Sequence, residues 1–304
     1  MRKAIKIIAA VIVGIAVLTA LALAYQAVRV GQRAAEMALR GPNAVQEALF
    51  VQVGGIGQWV SIRGQDSANP VLLIVHGGPG GSNLFNQYLL RGWEKDFTLV
   101  EWDQRGAGKT FSHADADATG DLSIDRIAGD GVQVADWVRY RLHKPKIVLL
   151  GHSWGTIIAS EMARRRPDLF SAYVATGQIV NMQRGEALGY RLLTERVKGA
   201  RDAKGMAKLQ KIGPPPYRDR DALMAERGIL VAHPPASERG RGADDIQTPA
   251  ALAIEYFGKV EAPHKELALL PGGGHFAIVS LHDQFLAELR ARVLPLAIAA
   301  DRGT

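Results

Sequence analysis

Gly151-His152-Ser153-Trp154-Gly155 places a serine between two glycines, directly after the apolar run Ile147–Leu150 and directly before the helical run Thr156–Arg166. A serine at such a strand-to-helix turn is set up to attack a carbonyl carbon. Glycine is needed at both ends because the turn is tight enough for a Cβ to clash, and the serine itself is held in a strained conformation. The bare pentapeptide recurs by chance in unrelated chains. Its place between a strand and a helix gives it force, and Ser153 is the expected nucleophile.

A nucleophile of this kind needs an oxyanion site, a base and an acid. His76-Gly77-Gly78-Pro79-Gly80-Gly81 follows the apolar run Val71–Val75. Its glycines would let backbone N–H groups approach a developing negative charge, and Gly78 and Trp154 are the expected donors. Each such donor is typically worth about 10²–10³ in rate. A plain glycine turn is the bland alternative, and His76 is expected to hold the loop rather than to react. The base comes from eight histidines. His275 lies late in the chain, after Pro271-Gly272-Gly273-Gly274, which fits a Ser…Asp…His order. His282 is the rival, inside a predicted helix. Asp245 is the expected acid, with Asp244 second; it would accept from the imidazole N–H and fix its tautomer. Gly108-Lys109-Thr110 imitates a phosphate loop, but the first glycine of that motif would fall at position 103, which is Asp. Asp103–Thr110 is therefore a structural loop.

Around these residues the predicted strands and helices alternate. Phe50–Val53 and Trp59–Arg63 read as short strands around Gly54-Gly55. Val71–Val75, Thr98–Trp102 and Ile147–Leu150 are unbroken apolar runs, as expected of strands buried on both faces. Ala172–Ala175 and Glu266–Leu270 complete the predicted strands, and helical stretches such as Ile124–Leu142 separate them. This rhythm predicts an α/β fold with a mostly parallel sheet between helices. Residues 178–241 interrupt it with helices and with Pro214-Pro215-Pro216 and Pro234-Pro235, and read as an inserted cap.

Apolar residues at 47% and charged residues at 22% are ordinary for a folded chain of 304 residues. Cysteine is absent, which excludes disulfides, thiolate metal sites and a cysteine nucleophile. The net charge of +7 lies mostly in residues 184–241, with thirteen Lys and Arg against seven Asp and Glu. A solvated basic helix face explains it better than nucleic acid, since no aromatic residues interleave with the basic ones. At the N-terminus Arg2, Lys3 and Lys6 precede an uncharged run of 18 residues, Ile7–Ala24, about long enough to cross a hydrocarbon core. Basic residues before the run predict a cytoplasmic N-terminus and a catalytic domain outside the cytoplasm, periplasmic or extracellular. The alternative is a signal peptide cleaved near Ala22-Leu23-Ala24, giving a secreted protein. The expected organisation is an anchor or signal over 1–26, a connector over 27–48, and a catalytic domain over 49–304.

The blocks His76–Gly81, Trp102–Gly108, Gly151–Thr156 and Ala262 through Phe276, in this order, resemble the proline iminopeptidase branch of the α/β-hydrolases over roughly residues 50–304. The resemblance implies the α/β-hydrolase fold, release of an N-terminal residue from a small peptide through an acyl-enzyme on Ser153, and no metal or cofactor. Two departures stand out. His152 occupies the place where the family usually has glycine. The cap also lacks the Trp-Glu pair near which the family binds the substrate's amine, although Glu186 and Glu195 are available. An esterase on the same fold is the second reading; a catalytically impaired, membrane-anchored protein is the third.

The acid is the weak point. A carboxylate placed by the fold should follow directly on a buried strand. Asp245 instead follows Ala236-Ser237-Glu238-Arg239-Gly240-Arg241-Gly242-Ala243, and the nearest apolar run, Ile229–Ala232, ends at His233. A deletion that removed the preceding strand is expected. Glu266–Leu270 would then pair with Ala172–Ala175, or Ile229–Ala232 would fill the gap. Asp245 would lie out of reach of His275 or reach it from an irregular loop, loosely held, with weak activity.

Overall fold

The structure, a computed structural model, describes residues 2–83, 87–114, 119–233 and 245–303, with the backbone alone for residues 4, 5 and 7–11. Contacts divide the chain into Met1–Arg40 and Gly41–Thr304. The first unit is a single helix, α1 (Arg2–Met37), uninterrupted by proline. Its segment Ile12–Met37, 26 residues with mean hydropathy 1.8, is long and apolar enough to cross a bilayer by length and composition. The helix covers the first part of the 27–48 connector, and only residues 38–44 separate it from the first strand.

The second unit is built on six strands: β1 (Val45–Val53), β2 (Ile56–Gly64), β3 (Val71–Val75), β4 (Thr98–Trp102), β5 (Ile147–His152) and β6 (Phe170–Thr176), ordered β1-β2-β4-β3-β5-β6. β1 and β2 form a hairpin whose turn residues Gly54 and Gly55 have φ of 57° and 83°, a conformation that favours glycine. From β4 to β6 the strands are parallel. Both faces of these central strands are covered, which is why they read as continuous apolar runs. On one face Leu73, Val75, Val100 and Leu149 pack with Ile127, Val134 and Val138 of α3 (Ile124–Arg141) and with Ile158 and Met162 of α4 (Trp154–Arg165). A short helix, α2 (Gly108–His113), precedes them. On the other face Leu72, Ile74, Leu99 and Leu150 pack with Trp93, Phe97, Phe285 and Leu289.

The cap comprises α5 (Met182–Gly199), α6 (Ala203–Ile212) and α7 (Arg220–Ala232). Side chains of Asn181, Asp202 and Asp219 accept the first free backbone N–H groups of these helices. Leu193, Val197, Leu209, Ile229, Leu230 and Ile246 form a core of their own. Beyond the cap come α8 (Ala250–Lys259), α9 (Ala277–Ser280), α10 (His282–Glu288) and α11 (Leu294–Arg302).

The predicted strand Glu266–Leu270 is not formed, and among the described residues the sheet ends at β6. Glu266 is drawn instead to Arg292 and to His264 Nε2, 2.7 Å away, while Leu267 and Leu269 are exposed and only Leu270 packs on the core. Ile229–Ala232 does not fill the gap either; it is the last turn of α7. Ala236–Ala243 and Asp244 lie outside the described residues.

One buried polar group on β4 has a consequence for stability. Glu101 faces Ser61 across the ladder, accepts from Gln87 Nε2 at 2.8 Å through Oε2, and has no partner for its Oε1 among the described residues. Burial pushes its carboxyl up to about 7; Gln87 and Arg63 oppose the shift, while Asp103 and Glu94 add to it. A carboxyl raised in the folded state binds its proton more tightly there than in the unfolded chain. The contribution of this group to stability is therefore greatest below the ordinary carboxylate range, falls as pH rises toward 7, and stays low above it. Glu101→Gln should accordingly gain on the wild type between pH 4.5 and 7, by about 3 kcal/mol at most. Denaturant unfolding of both proteins across this range checks the expectation, and a difference independent of pH would refute it.

Candidate active site

All the parallel strands end at the same edge. Val75 is level with Trp102 and Gly151, and His152 with Thr176, so the segments that follow each strand meet there. Ser153 occupies the turn between β5 and α4, with φ 53° and ψ −124°, in the region a non-glycine residue enters only under strain. Its N–H donates to the Thr176 carbonyl at 3.0 Å, and its own carbonyl accepts from the Thr156 N–H and hydroxyl at 2.8 and 2.6 Å. A Cβ on Gly155 would lie 2.0 Å from the Val75 carbonyl oxygen, and one on Gly151 2.8 Å from the Gly155 carbonyl oxygen. These contacts are the reason for both glycines.

The structure brings Ser153, His275 and Asp245 together. His275 Nε2 is 3.0 Å from Ser153 Oγ, and its Nδ1 is 2.9 Å from Asp245 Oδ2. Asp245 arrives from a turn rather than a strand, but it is not loosely held. Its Oδ1 accepts from the N–H groups of Gln247 and Thr248 at 3.0 and 2.8 Å, and its Oδ2 accepts from the Thr248 hydroxyl. This self-made turn replaces the strand that the sequence reading required. Burial pushes the Asp245 carboxyl up, yet hydrogen bonds from His275 and Thr248 outweigh it and hold the group below the usual carboxylate range. An ionised Asp245 fixes the imidazole proton on Nδ1, which leaves Nε2 bare to accept from the Ser153 hydroxyl. Such an arrangement can take the serine proton as Oγ attacks a carbonyl and return it to a leaving group.

Gly78 lines the same cavity as Ser153, a space of about 110 Å³. A side chain there would collide with the N atoms of Gly80 and Gly81 at 2.8 Å, and φ is +135°. Trp154 is the first residue of α4, where the backbone N–H has no partner within the helix. His76 holds this loop in place: its Nε2 accepts from Gln104 N–H at 3.1 Å, its carbonyl accepts from Gln104 Nε2 at 2.9 Å, and burial lowers its pKa. Asp103 accepts from Ser82 Oγ at 2.5 Å and Lys109 N–H at 2.8 Å, so the phosphate-loop mimic is scaffolding.

Two features lay beyond sequence reasoning. Thr248 clasps Asp245 and stands 3.2 Å from His275 Nδ1; its spacing of three residues from an aspartate was the local signal available. Arg227 of α7 lines the cavity together with Glu186 of α5, and bonds both Glu186 and Glu226. Glu195 is exposed on α5 and His282 lies away from Ser153 beside Asp283. Among the described residues no cluster of three or more His, Asp or Glu is arranged to hold a metal.

Residues 70–196 match the family profile described as alpha/beta hydrolase fold. A probable aminopeptidase of Bacillus subtilis is 35% identical over 170 residues, which are 55% of this chain and 52% of that protein. A probable proline iminopeptidase of Streptomyces coelicolor is 29% identical over 54% of this chain and 48% of its own length. The match thus spans about half the length of these relatives. Among solved structures, a proline iminopeptidase-related protein from Thermus thermophilus superposes with a TM-score of 0.54 at 20% identity, over 84% of this chain and 98% of that one. An esterase from Thermogutta terrifontis gives 0.52 at 16% identity, over 84% and 100%. The architecture of strands, the turn at Ser153 and these likenesses agree: the chain has the α/β-hydrolase fold and is similar to proline iminopeptidases.

Proposed function

We propose that the protein is a serine aminopeptidase of the proline iminopeptidase type, with Ser153 as nucleophile, His275 as base and Asp245 as acid. The observation that carries the peptidase reading is Glu186, whose carboxylate lines the cavity that contains Ser153. Glu186 and Glu226 share the single guanidinium of Arg227; burial raises the Glu226 carboxyl, and a substrate ammonium beside the pair would favour its ionised form. Ile179, Val180, Met182 and Leu252 give the same cavity an apolar wall suited to a small ring or aliphatic side chain.

In this reading Ser153 Oγ attacks the scissile carbonyl as its proton passes to His275 Nε2. The oxyanion is met by the N–H groups of Gly78 and Trp154. His275 returns the proton to the departing amine, leaving an acyl-enzyme. Water then attacks the acyl carbon as its proton passes to His275, which returns that proton to Ser153 Oγ as the Oγ–acyl bond breaks, releasing the carboxylic acid and restoring the serine. Arg2, Lys3 and Lys6 before the apolar part of α1 support a membrane anchor with the catalytic domain outside the cytoplasm.

Ser153→Ala should lower kcat by on the order of 10⁶ and abolish labelling by a fluorophosphonate probe; labelling that survives in this variant would reject the assignment. N-acetylation of a prolyl anilide should cost at least about 100-fold in kcat/KM, because the blocked amine offers no positive charge to the two carboxyls that share Arg227. Equal turnover of free and acetylated substrates, together with fast cleavage of short acyl esters, would transfer the assignment to an esterase. Removing residues 1–40 should move the protein from the membrane fraction to the soluble fraction with activity retained, whereas intact full-length chain in the soluble fraction would rule out the anchor.

A further inference from the structure

His152, the residue in the place of the family's glycine, touches both loops that flank the nucleophile. On one side its ring packs against the backbone of Gly77, where a Cβ would lie 3.2 Å from His152 Nδ1. On the other its ring centroid is 5.2 Å from that of His275 and 5.7 Å from that of Phe276. Its Nε2 lies 2.9 Å from the backbone carbonyl oxygen of His275. A carbonyl can only accept, so Nε2 carries the hydrogen. The side chain is buried, and burial followed by the proximity of His275 lowers its pKa to about 4, so the ring is neutral at neutral pH.

Side chains of Leu270 and His275 anchor the segment it holds, but few main-chain hydrogen bonds do. Among the described residues no strand leads into residues 271–276, since Glu266–Leu270 joins no sheet. Among the described residues the other hydrogen bonds of this loop's backbone are local: Gly273 N–H to Leu270, and the Ser280 hydroxyl to Gly273 and Phe276. The bond from His152 is the one that ties the loop's main chain to the central sheet.

We infer that His152 is a positioning residue: its Nε2–H holds the main chain of the base loop against the end of β5, in place of the strand that is missing. This rests on the reading of Ser153 and His275 as nucleophile and base. The neutral ring also adds no charge beside an imidazole that must become cationic during acyl transfer.

The test uses the full-length protein with His152→Phe, which keeps the ring and removes the donor, and His152→Gln, whose amide nitrogen reaches about as far as Nε2. The rate of inactivation by a fluorophosphonate is measured across pH for each. The Phe variant should react about 10–100-fold more slowly than wild type. The acid limb of its profile should move to lower pH, because a base that drifts from Asp245 loses the carboxylate's support for its protonated form. The Gln variant should recover most of both changes. A general loss of stability would not move the acid limb. If the Phe variant does not fold, His152→Asn, too short to reach the carbonyl, takes its place with the same expectation. Wild-type rate and profile in the Phe or Asn variant would overturn the inference, as would a Gln variant no better than Phe. Labelling that persists in Ser153→Ala would instead mark failure of the underlying nucleophile assignment.

Discussion

Contact between the Ser153 turn and the end of β3 is the constraint on which the rest of the site depends. The Gly155 α-carbon packs so closely on the Val75 and His76 carbonyls that no side chain fits between them. That approach sets α4 directly over the sheet and brings residues 76–81 beside Ser153, although they are more than seventy positions apart in the chain. It also keeps the serine in its strained conformation, since relaxing φ would pull α4 away from β3. Strain of this kind persists only where the surroundings over-determine it. Here the surroundings are Gly151, Gly155, the Thr176 carbonyl and the two bonds from Thr156.

How much of this could be read from the residues depended on whether a signal was local. β3, β4 and β5 were legible because a strand buried on both faces must be apolar throughout. The Ser153 turn is legible because two glycines flank a serine between an apolar run and a helical run, although the contact that excludes a side chain at Gly155 comes from distant Val75 and His76. β1 was read too short: Val45–Phe50 alternates between exposed and half-buried residues on an edge strand, and Gln46 and Glu47 mask the pattern. Glu266–Leu270 has strand composition, but composition does not reveal whether a neighbouring strand is there to pair with. The Glu186–Arg227 bond joins residues 41 positions apart on different helices, and nothing in either neighbourhood announces it.

Asp245 is the instructive case. The sequence reading demanded a strand before it, on the ground that only a ladder fixes a side chain well enough. The carboxylate is fixed instead from its C-terminal side, by the backbone of Gln247 and Thr248 and the Thr248 hydroxyl. Backbone donors two and three residues ahead are as rigid a reference as a strand behind, provided the turn itself is anchored.

That anchor has a mechanical consequence. Ile246, the next residue, is buried in the core of the cap, and its carbonyl is so close to α5 that a Cβ on Gly189 would lie 2.4 Å from it. The carboxylate that orients His275 is therefore carried by the cap and not by the sheet that carries Ser153. A shift of α5 or α7 that lifts Ile246 also withdraws Asp245 from the imidazole. Under the proposed reading, the cap and the carboxylate that supports the base are therefore mechanically coupled, so that the seating of the cap sets the orientation of His275.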